Sequence, residues 1–147
     1  MRGLLVVAVL AVASGCSAAV PPRSGTPVAD LVIPTAVPNG KVEVIVKSTY
    51  AVGDTVRATI RLVPTTGSLR GPLDAVIQAS GFHGTATVRH LSVDPISVNA
   101  GSGDVAVAWD MRDDAGQAVG TDDYSLVFRV IDDAGRATTV GATLQVR

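Results

Sequence analysis

The chain has 147 residues, 47% of them hydrophobic, enough for one well-filled domain. Twelve Lys and Arg stand against thirteen Asp and Glu, a net charge of −1, so the basic excess that nucleic-acid binding draws on is absent. One cysteine excludes an internal disulfide, and five aromatic residues are too few for an array of stacking platforms.

In chain order, Arg2 precedes an uninterrupted apolar run from Leu4 to Ala13. A membrane-spanning helix needs about 20 such residues, so this shorter run reads as a cleavable secretory signal. It ends in Ala13-Ser14-Gly15-Cys16, which resembles the lipobox of bacterial lipoprotein signal peptides. The resemblance implies cleavage after residue 15, a diacylglyceryl group on the Cys16 thiol, and small residues before it that admit the peptidase. Acylation would also remove the only free thiol from an oxidising compartment, and two or three acyl chains hold a protein durably to a membrane. The expected location is extracytoplasmic, on the cell membrane or outer membrane, with the lipid on Cys16 as the whole membrane contact.

Residues 16–39 read as a tether, since Pro21, Pro22, Pro27, Pro34 and Pro38 alternate with small polar residues and favour extended backbone. Within it, Leu31-Val32-Ile33 is apolar enough for an edge strand laid onto the domain. From residue 40 onward the apolar residues recur at every second position, which sends them to one face of a strand. The pattern covers Val42-Val44-Val46, Val56-Ala58-Ile60-Leu62, Ala75-Ile77-Ala79, Val105-Val107-Trp109 and Tyr124-Leu126-Phe128-Val130. A strand around His90 and a last one over 137–146 complete the set. Gly, Asp and Asn clusters punctuate them. About seven short strands over residues 40–147, and no helical stripe, predict an all-β, Ig-like antiparallel sandwich.

The stretch from Trp109-Asp110 through Asp113 and Gly116 to Tyr124 resembles the Ig-like domain of flagellar hook-capping proteins and the end of BsuPI-like proteinase inhibitor domains. Met111 stands where that pattern usually has Gly, and Asp122 where Gly precedes the Tyr strand. The resemblance covers under thirty residues and implies a fold, with Trp109 buried at a strand end and the Asp and Gly residues shaping a hairpin. It brings no active site.

Seven of the thirteen acidic residues lie between Asp110 and Asp133. A strand from residue 124 to 131 would divide them between opposite ends of the sandwich, roughly 25 Å apart. For calcium only Asp110, Asp113 and Asp114 come into consideration. Their spacing differs from an EF-hand loop, and solvated turns account for them. His83 and His90, seven apart, would face opposite ways along a strand and have no third ligand nearby. Phe82 is the one aromatic expected outside the core. No Gly-x-Ser-x-Gly, His-Glu-x-x-His or phosphate loop occurs, so no catalytic residue and no cofactor is expected.

The sequence therefore predicts a non-catalytic, lipid-anchored envelope protein that offers its sandwich to another envelope protein. The strand from Leu73 to Ala79, flanked by Pro64 and Pro72, reads as an edge able to accept a partner strand. The alternatives are an extracytoplasmic proteinase inhibitor presenting a long loop from Pro64 to Pro72, and a small-ligand or calcium-binding envelope module at the Asp110–Asp123 end.

Overall fold

Alternating side chains give each strand one apolar face, and two such sheets must meet face to face to bury them. The computed structural model, which describes residues 30–81 and 85–147, is such a sandwich of ten strands. The signal segment, Cys16, the tether up to residue 29, Phe82 and His83 lie outside the described residues. None of the described residues forms a helix long and apolar enough to cross a membrane.

One sheet has four strands: β1 (Leu31–Val37), β2 (Gly40–Val46), β4 (Val56–Pro64) and β8 (Gly103–Trp109), in the order β1-β2-β4-β8. The other runs β3 (Thr49–Tyr50), β10 (Ala137–Val146), β9 (Asp122–Asp132), β5 (Leu69–Ala79), β6 (Ala86–His90), and β7 (Ile96–Val98) also pairs with β5. The β2, β4 and β8 strands hold the A, B and E places of an Ig-like sandwich, and β5, β9 and β10 hold C, F and G. Pairing is antiparallel throughout except between β3 and β10, where the chain, having left the first sheet after β2, runs parallel to its own last strand.

Three features differ from the sequence reading. The domain begins at Leu31 rather than residue 40, because β1 pairs along its full length with β2, from Leu31↔Val46 to Val37↔Gly40. Pro34 is compatible with this since β1 is an outer strand, where a missing N–H breaks no ladder. Strands β1, β3 and β7 raise the count from about seven to ten. Finally, Leu73–Ala79 is interior: β5 pairs with β9 on one side and β6 on the other. The long loop between Pro64 and Pro72 shrinks to residues 65–68, because β4 continues through Pro64 and β5 starts at Leu69.

The core is the shared interior of the two sheets. Val42, Val44, Ile60 and Leu62 from one side meet Ile77, Leu126, Phe128, Val130 and Leu144 from the other, all at most 3% exposed. Each fully buried side chain of this size is worth about 1.5–3 kcal/mol.

The connection from β8 to β9, residues 110–121, closes one end of this core. Trp109 ends β8 and meets the ring of Tyr124, near the start of β9, edge-on at 5.1 Å between centroids. The Trp109 indole N–H donates to the Arg112 carbonyl at 2.8 Å, and the Tyr124 hydroxyl donates to the Gly120 carbonyl at 2.9 Å. A Tyr at the start of strand F bonding to backbone just upstream is the tyrosine corner of Ig-like sandwiches. Between these anchors the chain folds on itself: Val119 N–H donates to the Met111 carbonyl and Asp113 N–H to the Gln117 carbonyl, both at 2.9 Å. Met111 has φ +55° and is 2% exposed. Its left-handed backbone explains why Gly is usual there, and the buried thioether chain offsets the strain.

Three outcomes follow from this corner. Tyr124→Phe should keep the fold and lose about 1 kcal/mol, read as a lower urea midpoint at unchanged m-value. Met111→Ala should cost about 2–4 kcal/mol. Met111→Gly should be about 1 kcal/mol more stable than Met111→Ala, the reverse of the usual Ala-over-Gly order, since glycine enters the left-handed region freely.

Candidate functional site

The sandwich has two ends and two outer faces. The first end holds the β8–β9 connection with Asp110, Asp113, Asp114, Asp122 and Asp123. Each carboxylate is engaged separately. Asp110 Oδ1 accepts the Arg112 N–H at 3.2 Å, and Asp113 Oδ1 accepts the Gln117 N–H at 2.8 Å. Asp114 reaches across to β6, where its two oxygens accept the His90 N–H at 2.9 Å and meet His90 Nδ1 at 2.6 Å. The His90 N–H chiefly, then its ring, hold the Asp114 carboxyl below its ordinary range. Asp122 Oδ1 accepts the Asp123 N–H at 2.8 Å, and Asp123 pairs with Arg147. Asp110, Asp113 and Asp114, the calcium candidates, thus point to three different backbone groups. Among the described residues no three His, Cys, Asp or Glu side chains converge on a metal position.

Trp109, Asp110, Asp113, Gly116 and Tyr124, drawn together in sequence by the Ig-like resemblance, are brought together in space. Gly116, at φ +80°, closes the turn by donating its N–H to the Asp113 carbonyl at 3.0 Å. Arg89 of β6 donates to the same carbonyl at 2.7 Å. These residues form a structural corner.

The opposite end is built from the β1–β2, β4–β5 and β9–β10 connections. Asn39, at φ +70°, donates from Nδ2 to Asp133 Oδ1 at 2.6 Å and accepts the Thr65 N–H on its carbonyl at 2.7 Å. The Asp133 carboxylate lies over Gly67, where a Cβ would collide with it. Three loops are thereby tied into one tip. Beside them Asp132, whose side chain is 1% exposed, accepts the Arg136 N–H at 2.8 Å and the Arg136 Nε–H at 2.6 Å. Burial works against its ionisation, but the hydrogen bonds from Arg136 and Ala134 outweigh it and hold the carboxyl below its ordinary 3.8.

The outer face of the four-stranded sheet carries an open groove of about 760 Å³. Thr59, Ala106 and Ala108 contribute to its lining, and Lys47, Arg57, Asp30 and Asp54 add charge of both signs. Tyr50 lies at this groove, its hydroxyl donating to the Arg57 carbonyl at 3.2 Å, and burial raises its pKa. The sequence gives no sign of this groove, because it is assembled from solvent-facing positions of three strands. A second feature absent from the sequence reading is the outer edge of β10. Its described partner on that side is β3, which covers only Gln145 and Val146.

No family model matches the chain, and no curated protein does. Among solved structures it is similar to Spo0M, the sporulation control protein of Bacillus subtilis, at 13% identity and a TM-score of 0.50. That match covers 72% of this chain and 48% of Spo0M, so the chain spans about half the length of that protein. A likeness to the alkylpurine DNA glycosylase AlkC of Pseudomonas fluorescens, determined with DNA containing an abasic-site analogue, has 13% identity and a TM-score of 0.46. It covers 68% of this chain and 28% of the glycosylase. The first likeness shows a shared fold and nothing of activity, and the second carries no argument.

Asp132 supplies a test of how this chemistry is spent. A carboxyl whose folded pKa is depressed stabilises fully above its unfolded pKa and loses that contribution as pH falls through the folded value. Asp132→Asn should therefore lie below the parent in unfolding free energy by a constant amount from neutral pH down to about pH 5. The gap should close below the ordinary carboxylate range, as urea titrations from pH 7 to pH 2 would read.

Proposed function

We propose that this is a non-catalytic, lipid-anchored protein of the cell envelope, whose Ig-like domain sits outside the cytoplasm and makes protein–protein contacts. The observation that carries the reading is how the polar side chains are used. The acidic residues and His90 at the two ends are engaged in turns and loop ties, and every described buried side-chain N or O atom has a hydrogen-bond partner. A catalytic or ligand site ordinarily keeps some polar groups free and convergent for its substrate. This sandwich instead supports a rigid surface.

The strand registers give that surface a direction. Leu31 pairs with Val46 and Val56 with Trp109, so the described chain enters at the end that carries the tyrosine corner. The tip tied by Asn39 and Asp133 lies at the other end. An anchor at Cys16 would leave 13 residues before Asp30, about 45 Å at full extension. The corner end would then lie toward the membrane and the three-loop tip away from it. The short β4–β5 connection removes the protruding loop that motivates an inhibitor reading.

The intact mass of the protein extracted from its own membranes, beside Cys16→Ser, tests the anchor. A chain beginning at residue 16 with added acyl mass, absent from the variant together with the membrane association, is the expected outcome. An unmodified polypeptide beginning further along would overturn it.

A further inference from the structure

We propose that the chain-entry end of the sandwich rests on the membrane surface itself, through an apolar contact made by Leu31, Val32 and Val52. The inference rests on the lipid-anchored reading above and deepens it. The acyl chains hold the protein at the bilayer, and these three side chains set which way the domain stands.

Among the described residues three large hydrophobic side chains stand in water: Leu31 at 47%, Val32 at 50% and Val52 at 50% exposed. The fold brings all three to one end. Leu31 and Val32 open β1 and pair with Val46 and Ile45, the last residues of β2. Val52 lies in the connection from β3 to β4, which leads to Val56 opposite Trp109. Trp109 belongs to the tyrosine-corner end. The three-loop tip at the other end exposes Thr65, Thr66, Asp133 and Arg136 instead.

Local structure does not call for these side chains. The turn at Val52 is closed by the Asp54 N–H donating to the Ala51 carbonyl at 3.1 Å, and Asp54 Oδ2 accepts the Ala51 N–H at 3.0 Å. Gly53, at φ +88°, supplies the left-handed residue. Val52 takes no part in those bonds and places an apolar side chain where turns are ordinarily polar. On β1, Ile33 and Val37 pack against the core, whereas Leu31 and Val32 do not. Single exposed hydrophobics scattered over a surface are ordinary; a set confined to one end marks a contact.

The chain outside the described residues says what that contact meets. It enters at this same end, and the 13 residues between Cys16 and Asp30 reach about 45 Å at most. The 11-residue β9 alone spans about 36 Å at strand rise, so the tether barely exceeds the domain it carries. An anchor makes the second contact intramolecular, and a small apolar area then suffices. Exposed apolar side chains of this kind settle at the boundary between headgroups and acyl chains. Charge is distributed to suit. The aspartate-rich connection starts from β8, the far edge of its sheet from β1. The Val52 turn starts from β3, the outermost strand of the other sheet, on the side where β1 meets β10. A domain resting on Leu31, Val32 and Val52 therefore tilts its aspartates away from the bilayer. Lys47 and Arg57, exposed and without an ion pair among the described residues, line the groove beside Asp30, near the headgroup phosphates.

Tryptophan reporters test both contact and orientation. The protein is extracted from its own membranes and reconstituted into phosphatidylcholine vesicles with brominated acyl chains. Wild type, whose single tryptophan is 2% exposed, is the blank. Val52→Trp should add emission that shifts to the blue on reconstitution and is quenched by bromine. Val32→Trp should behave alike, and it keeps the test decisive if Val52→Trp folds poorly. Thr66→Trp, at the three-loop tip, should keep water-like emission and escape quenching. The proposal is overturned if neither Val52→Trp nor Val32→Trp is quenched, since the domain then stands off on its tether. Equal quenching of Thr66→Trp also overturns it. So does a blue shift without quenching, which would give the patch to a protein neighbour or a second copy. The acyl mass of the same sample reports the anchor separately. If that mass is missing, coupling the Cys16 thiol to a maleimide phospholipid supplies the anchor, and the same reporters decide.

Discussion

The contact between Trp109 and Tyr124 fixes how the two sheets of this sandwich meet. Trp109 is the last residue of a strand in one sheet, Tyr124 lies near the first residues of a strand in the other, and their rings meet edge-on at 5.1 Å. The chain joining them has to cross the end of the core in fourteen residues, 110–123, while both polar handles, the indole N–H and the phenol O–H, find partners. It does so by turning its own carbonyls at Arg112 and Gly120 toward the rings. Once those two bonds are set, the positive φ of Met111, the small hairpin from Met111 to Val119 and the placement of five aspartates follow as ways of completing one short path. Displacing either ring would open the end of the core and loosen the pairing of β8 with β4 and of β9 with its neighbours.

Much of this was legible in the sequence, because alternation is a direct readout of sheet geometry. Val42-Val44-Val46, Val56 to Leu62 and Tyr124 to Val130 announce their strands, and the same residues are the core. What alternation does not report is which strand lies beside which. Leu73 to Ala79 looks like an edge because prolines flank it, yet β5 is interior; the proline before it sits where β5 and β9 are out of regular register, and the regular ladder resumes at Val76. Strands β3 and β7 are two and three residues long, too short to express a period. In β1, Pro34 and the neighbouring prolines mimic a spacer, and only the partner strand Gly40–Val46 distinguishes an outer strand from a tether.

The acidic residues illustrate a different limit. In sequence they form one cluster, which invites a metal. In space the 11-residue β9 separates them, and each group then serves a local need. Asp113 and Asp132 close turns on their own backbones, Asp114 ties the corner to β6, and Asp133 ties three loops together. Hydrogen bonding lowers the pKa of Asp114 and Asp132, which keeps both ionised as acceptors at neutral pH. A carboxylate already satisfied by two donors offers less to a cation.

The same reasoning links the fold to its edges. Charge placed at the two ends leaves the middle of β10 with nothing but Thr, Val, Ala, Leu and Gly, and the two-residue β3 covers only its last positions. A protein that needed this strand merely as the border of its sheet could carry a lysine at residue 139, 141 or 143 without cost to the core, since all three are exposed. Proline at β1, arginine and histidine at β6 and the chain itself beside β8 show that the other borders are guarded by ordinary means. The outward backbone groups of β10 left unpaired by described strands are those of Ala137, Thr139, Gly141 and Thr143.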